Sequence, residues 1–219
     1  MKFCTLCAMV LLLSVSPGAA PDEYRVLTPE EALSGVDPVC PEHIISNQVL
    51  MDVVHWGFDG GLHRGQLVVD ARLVEDMQLV FAQMLILGFP LESVIPISEL
   101  GWSDSLSMAI NNTSGFNYRE VAGSGNLSKH AYGMAVDFNP FLNPYCHDGI
   151  VSPAGSVYDP DAPGTLYAGH PVVELLKSLG WRWGGDWVSP DYQHFDRRLE
   201  DIELTVEDHH LPCFIWRFL

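Results

Sequence analysis

The chain has 219 residues, 47% of them hydrophobic and 18% charged. That length supports one substantial core rather than two ordinary domains with linkers, and the composition excludes a disordered chain. With 28 acidic against 11 basic residues and a formal net charge of −17, the chain argues against a nucleic-acid partner, because such partners select basic faces.

Residues 1–20 read as a secretory signal. Lys2 gives a positive start, Met9 to Leu13 form an apolar run, and Ser16-Pro17-Gly18-Ala19-Ala20 supply small residues before Asp22-Glu23. The run is short for a membrane span; an uncleaved N-terminal anchor is the alternative reading. Pro21 leaves the cleavage position open. No later stretch is apolar enough to cross a bilayer, so the mature chain is expected to be exported, periplasmic or extracellular, without a membrane span. Cys40, Cys146 and Cys213 remain after cleavage. Export permits a disulfide, and Cys40 with Cys213 would tie both ends down, but an odd count keeps three free thiols open.

Residues 21–44 contain Pro and acidic residues and read as a lead-in. Val49 to Val54 and Gly65 to Val69 have the character of strands separated by a turn at Gly60-Gly61. Asp70 then caps the clearest helix. Leu73, Met77, Val80, Phe81, Met84 and Leu85 recur at helical spacing, and Gly88 with Pro90 ends it. Val94 to Ile97 suggest another strand, and Met134 to Phe138 a buried one that carries Asp137. Residues 139–170, rich in Pro, Gly, Asn and Asp, read as a long loop over one face. Pro171 to Leu179 form a second helix that ends at Gly180. Gly184-Gly185 turn the chain into the segment that carries His194. The pattern predicts one α+β domain, with helices packed on a small, mostly antiparallel sheet.

Three distant segments carry chemistry together: Ser128-Lys129-His130, Met134-Ala135-Val136-Asp137 and Asp191-Tyr192-Gln193-His194. Two histidines and a carboxylate suit a catalytic zinc, since three protein ligands leave a fourth position for water. A bend at Ala131-Tyr132-Gly133 brings His130 and Asp137 to one point. Asp191 and His194 cannot share a strand face by simple alternation, so a turn at Tyr192 is required if both point inward. Asp191 is placed to act as base towards the water. Arg119, a fixed cation just upstream, is the candidate for the oxyanion. Each feature also has a plain reading: a lone histidine beside tryptophans is usually structural, Arg119 can be a salt-bridged surface residue, Ser128 a turn residue, and Trp181, Trp183 and Trp187 core. No nucleotide fingerprint and no nucleophile elbow is present.

Ser128-x-His130-x6-Asp137 with Asp191-x-x-His194 resembles the zinc D-alanyl-D-alanine carboxypeptidase and L-alanyl-D-glutamate endopeptidase family, which includes the vancomycin-resistance DD-peptidases and some phage endolysins. The resemblance extends to Asn111 through Arg119, to His130-Ala131-Tyr132-Gly133 and to Gly180 through Trp187, and covers roughly residues 45–198. It leaves 199–219 as a C-terminal extension. It implies a compact fold of the hedgehog/DD-peptidase type, with one zinc ion on His130, Asp137 and His194. It further implies Asp191 as catalytic acid/base, Arg119 on the scissile carbonyl or oxyanion, and Ser128 in substrate binding. The implied substrate is peptidoglycan or a muropeptide, with the terminal D-Ala–D-Ala bond as the first expectation for cleavage. Asp191 stands where the carboxypeptidase and dipeptidase branches usually carry Glu, so an L-alanyl-D-glutamate or cross-link endopeptidase is the alternative. A non-catalytic, zinc-containing wall-binding module is a further one, but a structural site has no need of the unliganded Asp191.

Overall fold

The computed structural model describes residues 25–121 and 123–198. The expected signal segment, the 199–219 extension and Cys213, and with it the Cys40–Cys213 pair, lie outside the described residues. The chain is α+β, as the sequence predicts. Two single helical turns, α1 (Pro29–Ala32) and α2 (Glu42–Ile45), precede a long antiparallel hairpin of β1 (Gln48–Trp56) and β2 (Leu62–Asp70). Asp70 caps as expected, but the cap acts on a 3-10 turn, Ala71–Leu73, which leads into α3 (Val74–Leu87). Gly88 adopts φ 67° there, a left-handed conformation that stops the helix.

Short elements follow: β3 (Ser93–Val94), α4 (Asp104–Ala109), β4 (Asn112–Thr113), β5 (Ala135–Asp137), β6 (Tyr145–His147), β7 (Ile150–Ser152), α5 (Pro171–Ser178), β8 (Arg182–Trp183) and β9 (His194–Asp196). Among the described residues the strands pair antiparallel in β1-β2, β6-β7 and β5-β9-β8 and parallel in β3-β4. The expected single small sheet is therefore divided into several. The expected strand from Val94 to Ile97 shrinks to its first residue, because Pro96 has no N–H to donate and Ile97 opens a 3-10 turn. Among the described residues no helix is long and apolar enough to cross a membrane.

The core lies between α3, α5, the hairpin and the β5-β9-β8 sheet. α3 contributes Met77, Val80, Phe81 and Met84, and β5 with β9 contribute Val136 and Phe195. Trp181 and Asp76 tie the two halves together: the indole donates to the Asp76 carboxylate at 2.7 Å, and Arg197 reaches the same oxygen at 2.8 Å. Residues before the hairpin pack on the back of this body, where Leu27, Ile44, Val68 and Phe116 form a second cluster.

The segment 139–170 is largely irregular, as expected, yet two buried asparagines fasten it. Asn139 sits at φ 43°. Its side chain accepts from Glu92 N (3.2 Å) and donates to Pro90 O and Gly164 O (2.9 and 3.0 Å). Asn143 donates to Phe138 O and Gly164 O and accepts from Leu166 N at 2.7 Å. Replacing Asn139 with Ala strands buried backbone groups in a conformation that suits Asn better than Ala. The Asn139→Ala variant is expected to lose roughly 3 kcal/mol of stability in urea denaturation, from several lost bonds of about 1 kcal/mol each.

Candidate active site

The site rests on strand register. β5 and β9 pair so that Asp137 lies directly opposite His194. His130 arrives from the preceding 3-10 turn, Lys129–Tyr132, which Ser128 caps by accepting from His130 N at 3.2 Å. Gly133 closes that turn at φ 68° and presses so closely on β2 that an added Cβ would sit 2.7 Å from Asp70 N. The turn is thus locked to the hairpin, and the bend expected at Ala131-Tyr132-Gly133 does bring His130 to Asp137.

Three donor atoms converge. His130 Nε2 is 3.2 Å from Asp137 Oδ1, His194 Nδ1 is 2.9 Å from the same oxygen, and the two ring nitrogens are 3.2 Å apart. A tetrahedral zinc with bonds of about 2.0–2.1 Å needs ligand edges of about 3.3–3.4 Å, so the donor set fits such an ion closely. The ring state of His130 fits as well. His130 Nδ1 lies 2.7 Å from Gly115 O. A carbonyl only accepts, so Nδ1 carries the proton and a neutral His130 turns the lone pair of Nε2 towards the other donors. Among the described residues His130, Asp137 and His194 form the group that can hold a metal ion.

Electrostatics follow from this crowding. Burial opposes the charge on Asp137, but the two histidines overcome it and hold its carboxyl well below the usual range. Burial also disfavours a charged His194, yet its hydrogen bond to Asp137 and its contact with Asp196 raise it to about 10. Asp191 moves the other way. Burial first, and the Asp137 charge second, raise it to about 6. It is held by its backbone: Asp191 N donates to Gly184 O and His194 N donates to Asp191 O (3.0 and 3.2 Å), which is the turn that the sequence required at Tyr192. Gly184 is there because an added Cβ would come within 2.4 Å of Asp191 O. Gln193 donates to Asp191 Oδ1 at 3.1 Å.

These groups line an open cleft of about 670 Å³, which also receives Ser128, Lys129 and Arg119. Arg119 is paired with Asp104, with Nε 3.0 Å from Oδ1, in an ion pair rather than an aligned hydrogen bond. Sequence reading missed Asp104, which opens α4 far from the motif segments. Trp181 and Trp183 are core, as their plain reading has it. Trp187 is 41% exposed and sets its ring 5.4 Å from that of His194, so it belongs to the cleft wall. The β6-β7 hairpin adjoins it, fastened by His147 Nδ1 to Ser189 Oγ at 2.6 Å and by Cys146 N to Pro190 O at 2.7 Å, and Tyr145 and Ser152 line the cleft from there.

Residues 122–197 match a family model described as D-alanyl-D-alanine carboxypeptidase. The match supports the zinc DD-peptidase family that the motifs resemble, and it supports a peptidase. It takes in Ser128, His130, Asp137, Asp191 and His194 and stops short of Arg119. No solved structure matches the chain.

One substitution tests how the hairpin supports the site. An added Cβ on Gly115 would lie 2.2 Å from Val68 O, so Gly115→Ala must shift the carbonyl that orients His130. Competition with a chromogenic chelator is expected to show metal affinity lowered by about 10–100-fold, the usual cost of losing such an outer partner.

Proposed function

We propose that this chain is a zinc-dependent D-alanyl-D-alanine carboxypeptidase that trims peptidoglycan stem peptides in the cell envelope. The observation that carries the reading is the convergence of His130, Asp137 and His194 beside a carboxyl, Asp191, that is raised to about 6. A purely structural centre has no use for a carboxyl poised to exchange protons near neutrality.

His130 through Nε2, His194 through Nδ1 and Asp137 through Oδ1 would hold one zinc ion. Bound there, zinc supplies Lewis acidity to the scissile carbonyl and lowers the pKa of water from about 15.7 to roughly 7. Asp191, on the cleft floor, accepts the proton of the attacking water and returns it to the leaving amine. Its raised pKa suits both halves of that exchange. Gln193 steers the carboxyl through Oδ1. Arg119, braced by Asp104 and lining the same cleft, would offer its guanidinium to the negative charge that develops on the carbonyl oxygen. Ser128 spends its oxygen capping the 129–132 turn but retains its O–H for a substrate carbonyl or carboxylate. Lys129 and Arg119 are the cations that line the cleft, and a carboxypeptidase needs a cation for the free C-terminal carboxylate. Trp187 and the β6-β7 hairpin line one side of the cleft, where a substrate peptide would lie.

Asp191→Ala is expected to keep its metal by elemental analysis and to lose hydrolysis, whereas His194→Ala loses both; undiminished turnover in Asp191→Ala would refute the assigned role. Arg119→Ala should lower kcat by about 10²–10³, the range found when one oxyanion donor is removed. Mass spectrometry of defined muropeptides, with and without chelator, reads the bond. Chelator-sensitive release of free D-alanine supports the carboxypeptidase. Internal cleavage without D-alanine replaces it with the endopeptidase.

A further inference from the structure

His194 uses one ring nitrogen within the candidate metal centre and leaves the other pointing away from it. Nδ1 faces Asp137 and His130, while Nε2 is 3.4 Å from Asp196 Oδ2, longer than a well-formed hydrogen bond but short enough to close with a small shift. Asp196 is itself buried, at 2% exposure. A buried carboxylate must be compensated, and here Arg182 provides for it from the neighbouring strand. Arg182 sits directly across from Asp196 in the β8-β9 register, and its Nε donates to Oδ1 at 2.7 Å while its terminal nitrogen pairs with the same oxygen. That engages Oδ1 and leaves Oδ2 turned towards His194. The Arg182 guanidinium can only donate and engages Asp196 through Oδ1, so Oδ2 meets His194 as an acceptor.

We propose that Asp196, held by Arg182, is a positioning residue for the metal centre: it accepts the Nε2 proton of His194, fixes the ring as the Nε2–H tautomer and so presents Nδ1 as the ligand. This rests on the zinc reading above. The arrangement mirrors that of His130, whose outer nitrogen donates to Gly115 O. Both rings are then set from outside, one by a backbone carbonyl of the hairpin side and one by a carboxylate of the β8-β9 sheet. Neither Asp196 nor Arg182 touches the position of the scissile bond in this assignment; each acts through His194.

The wild-type protein, loaded with one equivalent of zinc and labelled with 15N at histidine, tests the tautomer without a variant. Long-range proton–nitrogen correlation is expected to show His194 with a metal-bound Nδ1 and a protonated Nε2. Zinc affinity by chelator competition is then compared between wild type and Asp196→Asn, which keeps the shape and removes the charge. A loss of about 10–100-fold is expected, with Asp196→Glu recovering part of it. A merely structural ion pair between β8 and β9 would lower the urea midpoint and leave the zinc affinity of the folded protein unchanged, and that result overturns the proposal. Zinc held through His194 Nε2 overturns it too, while leaving the metal centre intact. Failure of the wild type to bind zinc at all overturns the metal centre and this assignment with it.

Discussion

Everything at the cleft depends on the register between β5 and β9. Antiparallel pairing sets Asp137 across from His194, and Ala135 across from Asp196. Side chains alternate along a strand, so a slip of one residue would turn His194 to the opposite face and bury Phe195 in the wrong direction. The register is held by what lies behind it. Val136 and Phe195 are fully buried and face each other in the same ladder, and Phe195 meets Phe138 edge-on at 5.8 Å. The apolar side of these two short strands thus specifies where the polar side puts Asp137 and His194.

The remaining members reach the site through tight backbone contacts rather than long elements. His130 belongs to a turn locked to β2, and Asp191 to a turn wedged against Gly184. Such contacts leave little room for rearrangement, and two buried histidines with a buried aspartate would otherwise be costly neighbours. The ion-pair frame around them has the same character. Arg197 and Trp181 share Asp76 on α3, Arg182 neutralises Asp196, and Asp104 braces Arg119.

Much of this arrangement is legible from residue order. The hairpin, α3 with Gly88, α5 with Pro171 and the strand around Asp137 all announce themselves through periodicity and stop signals, and the spacing His130, Asp137, Asp191, His194 marks one centre. What stays hidden depends on side chains that meet only in three dimensions. Asp104 shares no pattern with Arg119, fifteen positions later in the chain. Asp196 reads as an ordinary polar residue of a strand until its register with Arg182 is known. The strand expected at Val94 to Ile97 fails because one proline outweighs a short β-branched run. The β6-β7 hairpin escapes notice inside a stretch dominated by Pro, Gly and Asp, since its strands are exposed and carry little apolar pattern.

The two asparagines at the root of the 139–170 segment have a consequence for how such a protein can diversify. Asn139 and Asn143 hold one end, and Gly164 to Leu166 hold the other, so the chain leaves and rejoins the body at one fixed spot. Between β7 and Gly164 the path is mostly exposed. Doubling the length of a flexible span costs only about 0.6 kcal/mol in closure entropy. Insertions and deletions can therefore accumulate there while β5 and β9 keep their register, which makes this stretch, just beyond the Ser152 edge of the cleft, a part of the surface free to be remodelled.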